Sequence, residues 1–213
     1  MSLLTIRNQI ITEIGGRTDV NTVIDDQINF AAEEIGTMYP FFELNQTATT
    51  TTASGQFEYL LPADLFVLWT VRDATKLKRK LVYKDIQAFD EIDTTLTGQP
   101  YNWTQWNKSL LLFNQVPDTN AGSHYSIRIR YWRYVPDLSA DGDTHILPAR
   151  VERGIRLKAT AYTLRILNME EKAGEREQEF DRWVSRMEMP AAGTEKETKS
   201  AVAYMRRGNS PRR

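Results

Sequence analysis

The chain has 213 residues, with 27 Lys and Arg against 28 Asp and Glu, two His and no Cys. Without cysteine, disulfides, thiolate metal sites, iron–sulfur clusters and cysteine nucleophiles are excluded, while a chain this long buries a sufficient core without staples. A mean hydropathy of -0.49, no apolar run near the roughly 20 residues of a membrane span, and an opening segment interrupted by Arg7 and Glu13 predict a soluble protein with no signal peptide.

Leu3, Ile6, Ile10 and Ile14 fall on one stripe, widened by Leu4 and Ile11, which predicts an amphipathic helix stopped by Gly15-Gly16. A second helix is expected to open at Asn21 or Thr22, with Asp25 and Asp26 complementing its dipole. Val23, Ile24, Ile28, Ala31, Ile35 and Met38 form its apolar face, Pro40 ends it, and Phe41, Phe42 and Leu44 pin its exit to a core.

From Gln46 the period changes. Thr47 to Thr52 is β-branched and almost free of apolar side chains, so it reads as a polar arm or edge strand leading into a paired strand at Phe57, Tyr59 and Leu61. Leu65 to Val71 and Leu77 to Tyr83 are further strands, and Asp85 caps a short helix to Ile92. Trp103 to Trp106 and Leu110 to Phe113 form a hairpin around Asn107-Lys108-Ser109, and Pro117 to Gly122 is a turn. The clearest strand alternates Tyr125, Ile127, Ile129 and Tyr131 with Ser126, Arg128 and Arg130, so the middle of the chain is expected to be antiparallel β. After Pro148, Val151 to Met169 carries two apolar stripes and predicts a helix covered on more than one side. A last helix presents Phe180, Trp183, Val184 and Met187, and Pro190 and Gly193 end it.

Charge is uneven along the chain. Residues 189–213 hold six basic and two acidic side chains, leaving residues 1–188 with 21 basic against 26 acidic: an acidic body and a basic tail expected to be disordered alone.

The residues that carry chemistry elsewhere form no complete set here. Asp137, Ser139, Asp141 and Asp143 repeat the spacing of a calcium loop, but position 9 is His145 and position 12, which needs a bidentate Glu, is Pro148. A solvated turn is the expectation. His124 and His145 have no second ligand at metal spacing and read as polar surface residues. Asp90, Glu91 and Asp93, and Glu170 with Glu171, are acidic pairs of the kind glycosidases use, yet both sit on helical patterns where a charged solvent face is expected. Arg128, Arg130 and Arg133 interleave with Tyr125, Tyr131, Trp132 and Tyr134, a mixture that single-strand nucleic-acid binders use and that a one-sided strand also produces. No catalytic residue, metal site or cofactor is therefore expected, and the chain reads as no enzyme.

The order helix, helix, β insertion, long helix, helix, basic tail resembles the head-to-tail adaptor (connector) proteins of tailed bacteriophages. The stretch from Val23 through Ile28 to Ile35, then Tyr39-Pro40-Phe41-Phe42, carries the likeness, as does the run from Tyr131 through Val135-Pro136-Asp137 to Leu147-Pro148. The resemblance implies a virion protein of the neck, present in the host cytoplasm before assembly and without membrane contact. It implies a ring, commonly of twelve copies, that docks on the portal protein, meets a downstream tail or nozzle protein and extends the channel for viral DNA without sequence-specific binding.

The expected fold is α+β: a helical body over 1–46 and 148–188, a β-rich insertion over 47–147, and an extended tail over 189–213. Thr49, Thr50, Thr51 and Thr52 are the expected inter-subunit contacts, with the arm and the second stripe of the long helix finding neighbours only on assembly. Tyr204, Met205, Arg206, Arg207, Arg212 and Arg213 are the expected portal-binding residues, because the segment is basic, has no acid and cannot pack a core. The other readings are a nucleic-acid-binding module built on the Arg/aromatic strand and the tail, and a cell-wall glycan hydrolase using an acidic pair.

Overall fold

The structure, a computed structural model, describes residues 1–39, 41–75, 79–92, 96–118 and 124–187. In chain order the elements are α1 (Leu3–Glu13), α2 (Asn21–Met38), β1 (Asn45–Thr51), β2 (Glu58–Leu60), β3 (Leu65–Asp73), β4 (Val82–Tyr83), α3 (Ile86–Asp90), β5 (Asn102–Trp106), β6 (Leu110–Phe113), β7 (Ser126–Arg133), α4 (Glu152–Ile166) and α5 (Glu170–Arg186). Five helices and two sheets make an α+β fold. The described chain divides into a helical unit, residues 1–44 with 134–187, and a β unit, Asn45–Arg133.

In the helical unit the Ser2 hydroxyl accepts from Thr5 N and caps α1, whose other free N–H groups find carbonyls of a distant loop: Leu3 N donates to Asp143 O at 2.8 Å and Leu4 N to Asp141 O at 3.2 Å. Gly15 and Gly16, at φ 87° and 82°, end the helix in a conformation that side chains with a Cβ resist. Helix α2 begins at Asn21 with no side-chain cap, and Asp25 lies beyond its first turn, where Arg7 takes it in a bidentate pair at 2.6 Å. The expected dipole role of Asp25 is thus replaced by an ion pair between helices. Phe41 and Leu44 are buried after α2 while Phe42 is 52% exposed, so two of the three exit residues anchor it. Pro40 lies outside the described residues.

Helix α4 is the centre of this unit, packing against α1, α2 and α5. Ile155, Leu157, Ala159, Ala161 and Leu164 are all buried, so both apolar stripes are covered within the chain except at the helix end, where Ile166 is 52% exposed. The expectation that one stripe waits for another subunit is corrected: three helices of the same chain surround it. Ion pairs lace the periphery, with Lys158 3.2 Å from Glu34 and Glu13 shared by Arg156 and Arg176 at 3.5 and 3.4 Å. A Cβ on Gly154 would stand 2.4 Å from the Trp183 ring, so only glycine admits this approach of α5 to α4.

Residues 134–147, read from sequence as part of the insertion, are tied to the helical unit. Asn29 clamps Leu138 through both its amide groups, donating to the carbonyl at 3.0 Å and accepting from the N–H at 2.9 Å. Asp143 caps the N–H groups of Ser139 and Ala140 at 2.9 and 2.8 Å, contacts that hold its carboxyl below the ordinary range, and Asp141 pairs with Arg7 at 2.8 Å. Two of the three carboxylates with calcium-loop spacing, Asp141 and Asp143, are therefore already engaged by protein donors. Among the described residues no cluster of His, Cys, Asp and Glu could hold a metal ion.

In the β unit, β1, β7 and β3 form one antiparallel sheet in that order, and β2, β6, β5 and β4 a second. The expected all-antiparallel region has parallel exceptions: β4 runs parallel to β5, Val82 opposite Asn102, and the isolated bridge of Thr97 with Val116 is parallel too. Of the expected strand Leu77 to Tyr83, Val82 and Tyr83 form β4 and Lys80 bridges Arg72, while 76–78 lie outside the described residues. The hairpin forms as expected, Asn107 taking φ 53° between β5 and β6. Side chains of both sheets meet in one core, including Tyr59, Val71, Trp103, Leu111, Phe113, Ile127, Ile129 and Tyr131. Tyr59 and Tyr131 turn their hydroxyls to polar partners, Tyr59 donating to Gln56 O at 2.8 Å and Tyr131 to Asp64 at 2.9 Å, so aromatic bulk is buried without orphaning an O–H.

Candidate assembly interface

Strand β1 reads Asn-Gln-Thr-Ala-Thr-Thr-Thr, and its exposure alternates residue by residue. Its pairing with β7 is continuous from Asn45 opposite Trp132 to Thr51 opposite Ser126. The arm is thus a strand of its own sheet already, and the expectation of an arm left unpaired in the free chain is corrected. Ala48 packs on the core because it sits on the inner face; Thr47, Thr49 and Thr51 are exposed on the outer. Thr52 is buried, its Oγ1 accepting from Tyr125 N at 3.0 Å, so its side chain holds the strand end rather than a surface contact.

What β1 leaves open is its other edge. The opposite edge of the sheet, β3, is bonded further: Leu81 N donates to Val71 O and Asp73 N to Arg79 O, both at 2.9 Å. Among the described residues no second strand pairs with β1. Natural edges are blunted by charge, proline, bulges or brevity. This one is seven residues long, about 24 Å at the usual rise, with no charged residue, no proline and no break in register.

The outer face of the same sheet is polar. Directly paired residues share a face, so Thr49, Arg128 and Arg72 form one row and Thr47, Arg130 and Thr70 the next. The first row continues to Lys80 through its bridge with Arg72. Arg128, Arg130 and Lys80 are exposed, and none of the four cations has an ion pair among the described residues.

Of the aromatic residues interleaved with those arginines, Tyr125 and Tyr131 alternate onto the inner face, while Trp132 shares the arginines' face, opposite Asn45 and Val67, and is covered there. Tyr125, Tyr131 and Trp132 are 7%, 6% and 5% exposed, so the expected platform for stacked bases is part of the interior. Trp132 lies against Trp69, ring centroids 4.6 Å apart, and Trp69 is 36% exposed. Of the histidines, His124 is exposed but His145 is buried, a correction to its reading as a surface residue. His145 Nδ1 meets Leu147 O at 3.1 Å and Nε2 lies 3.8 Å from Glu152, which also contacts the Met1 amino group. Burial, and after it the Met1 amino charge, lowers the His145 pKa below its ordinary value despite the opposing pull of Glu152. Asp90 and Glu91 are exposed at the end of α3, and Glu170 and Glu171 in the first turn of α5. Asp93 and the six expected portal-binding residues, Tyr204, Met205, Arg206, Arg207, Arg212 and Arg213, lie outside the described residues.

Two helices, a β unit returning the chain at residue 134, and two further helices give the order on which the resemblance rested. A family model described as SU10 adaptor protein matches residues 1–208. The chain belongs to the SU10 adaptor family. That family is one of phage head-to-tail adaptors, which makes the chain a structural virion component. The SU10 adaptor match spans both units and extends through Tyr204 to Arg207 of the tail. Comparison with curated proteins finds no match. Among the described residues no helix is long and apolar enough to cross a membrane.

Proposed function

We propose that this SU10 adaptor forms a ring, of twelve copies by the family resemblance, that docks beneath the portal and carries the DNA channel toward a tail or nozzle protein. The observation that carries the reading is the open edge of β1, where a neighbouring copy adds a strand through main-chain hydrogen bonds. Thr49, Thr50 and Thr51 contribute through their backbone as much as through their hydroxyls. The basic residues Arg206, Arg207, Arg212 and Arg213, with Tyr204 and Met205 as anchors, are proposed to bind an acidic groove on the portal. The role is structural and involves no catalysis, metal or cofactor.

Hydrogen exchange on the free protein and on the protein assembled with portal rings tests this. In an antiparallel pair consecutive residues alternate in which edge their N–H addresses. Roughly alternate amides of β1 are therefore expected to be protected in the free chain, and the rest to gain protection only in the ring. Equal protection of all seven in both states overturns the strand-addition reading. In the same assembly, changing the four tail arginines to Gln is expected to weaken portal attachment and remove its salt dependence. Attachment unchanged at every salt concentration places the docking element elsewhere.

A further inference from the structure

The outer face of the β1–β7–β3 sheet holds an arrangement that the fold itself leaves unresolved. Arg72 and Arg128 are directly opposed across two strands, and Lys80 is opposed to Arg72 on the other side. Like charges set directly opposite each other destabilise a sheet. Among the described residues no carboxylate pairs with these cations, nor with Arg130, about 7 Å along the strand from Arg128. Among the described residues neither buried Arg72 Nε nor buried Thr70 Oγ1 has a hydrogen-bond partner. Around the cations stand hydroxyls: Thr47, Thr49, Thr51 and Thr70.

Guanidinium groups take phosphate oxygens in two parallel bonds, and threonine hydroxyls donate to phosphate as well. A protein partner is a poorer fit, because protein interfaces gather around desolvated aromatic anchors, and the rows of Thr49, Arg128 and Arg72 and of Thr47, Arg130 and Thr70 hold none, the Trp69 and Trp132 pair standing beyond their end with Trp132 covered. A single strand is also a poorer fit, because its binders offer successive aromatic platforms and Tyr125, Tyr131 and Trp132 are buried. The charge balance agrees: residues 45–133 hold ten basic against eight acidic side chains, while residues 1–44 with 134–187 hold 11 against 17.

We propose that the face formed by Arg72, Arg128, Arg130 and Lys80 with Thr47, Thr49 and Thr70 is a sequence-independent contact for the phosphate backbone of duplex DNA. It rests on the adaptor reading only for the presence of DNA. Binding in solution needs no portal, so failure to assemble and failure to bind DNA are separate results.

The test is fluorescence anisotropy of the full-length protein with a labelled duplex of mixed sequence, across a salt series. Changing Arg128→Gln together with Arg130→Gln is expected to make the slope of log affinity against log salt shallower by about 1.8, about 0.9 for each phosphate that is no longer neutralised. The same reduction is expected in a background where Arg206, Arg207, Arg212 and Arg213 are also Gln, which separates the sheet face from the tail. Arg128→Lys with Arg130→Lys is expected to keep the slope and weaken affinity, since charge stays and the two-pronged bond does not. An unchanged slope in the Gln pair overturns the proposal. So does tighter binding of a single strand of the same length. Loss of self-association in the Gln pair with duplex binding intact makes the face a protein interface and overturns it equally.

Discussion

The helical unit and the β unit solve the same problem of polar groups in a packed interior by opposite means. The helical unit ties its elements with ion pairs: Arg7 to Asp25 and Asp141, Lys158 to Glu34, Glu13 to Arg156 and Arg176. The β unit places Arg128, Arg130 and Lys80 outside and buries Tyr59, Tyr125 and Tyr131, each of these tyrosines reaching a polar partner from the core. Several acidic side chains of the first unit are therefore committed to basic partners, whereas the cations Arg72, Lys80, Arg128 and Arg130 of the second have no ion pair among the described residues. Interaction chemistry is to be sought where charge is unspoken for, and here that is the β unit.

The largest expected break of this comparison is in the β core. Phe113 is fully buried, its ring centroid 5.3 Å from that of Tyr59. Phe113→Ala is expected to lower stability by about 3–5 kcal/mol. Hydrogen exchange is expected to show protection lost across residues 45–133 while α4 keeps its own. Simultaneous loss in both units would mean they do not have separable stability.

Next is the alkaline limb. Tyr131 is raised from 10.0 to about 12, by burial first and then by the hydrogen bond to Asp64. Between those values the unfolded chain has released a proton that the folded chain keeps, so stability falls as pH rises through the window, by about 2 kcal/mol at its top. Tyr131→Phe is expected to make the limb shallower, with a residue of slope because burial also raises Tyr59 and Tyr162. Denaturation midpoints from pH 9 upward check it.

The smallest effect belongs to the acid side of the helical unit. Burial lowers the His145 pKa, so below its ordinary value of 6.5 the unfolded chain binds a proton that the folded chain refuses. Stability is then present above that pH and is lost as pH falls through it. His145→Gln is expected to flatten this step, read as the change in thermal midpoint between pH 7 and 5. A step of the same size in the variant would assign it to the carboxylates.

Local periodicity made much of the fold legible. The stripe of Ile24, Ile28 and Ile35, the alternation around Ile127 and Ile129, the turn at Asn107 and the cap at Asp85 each depend on a few neighbouring residues, and the structure keeps all of them. The Thr-rich segment was legible as an edge strand from its β-branched, uncharged composition. Which of its edges is occupied was not, because β7 lies some eighty positions away. For the same reason His145 read as a polar loop residue: its burial beside Glu152, which also holds the Met1 amino group, depends on a chain end that lies far away in sequence.

By itself the sequence determined the helices, most strands, the division into helical and β segments and the basic tail, because propensity, period and capping act over a turn or a strand. Only the tertiary structure decided that α4 is enclosed by its own chain, that residues 134–147 belong with the helices, that β4 joins its sheet in parallel, and that Arg72, Lys80 and Arg128 share one row. Each of those depends on partners distant in sequence. Register and docking are set by which surfaces meet, a property of the packed whole that no window of a few residues contains.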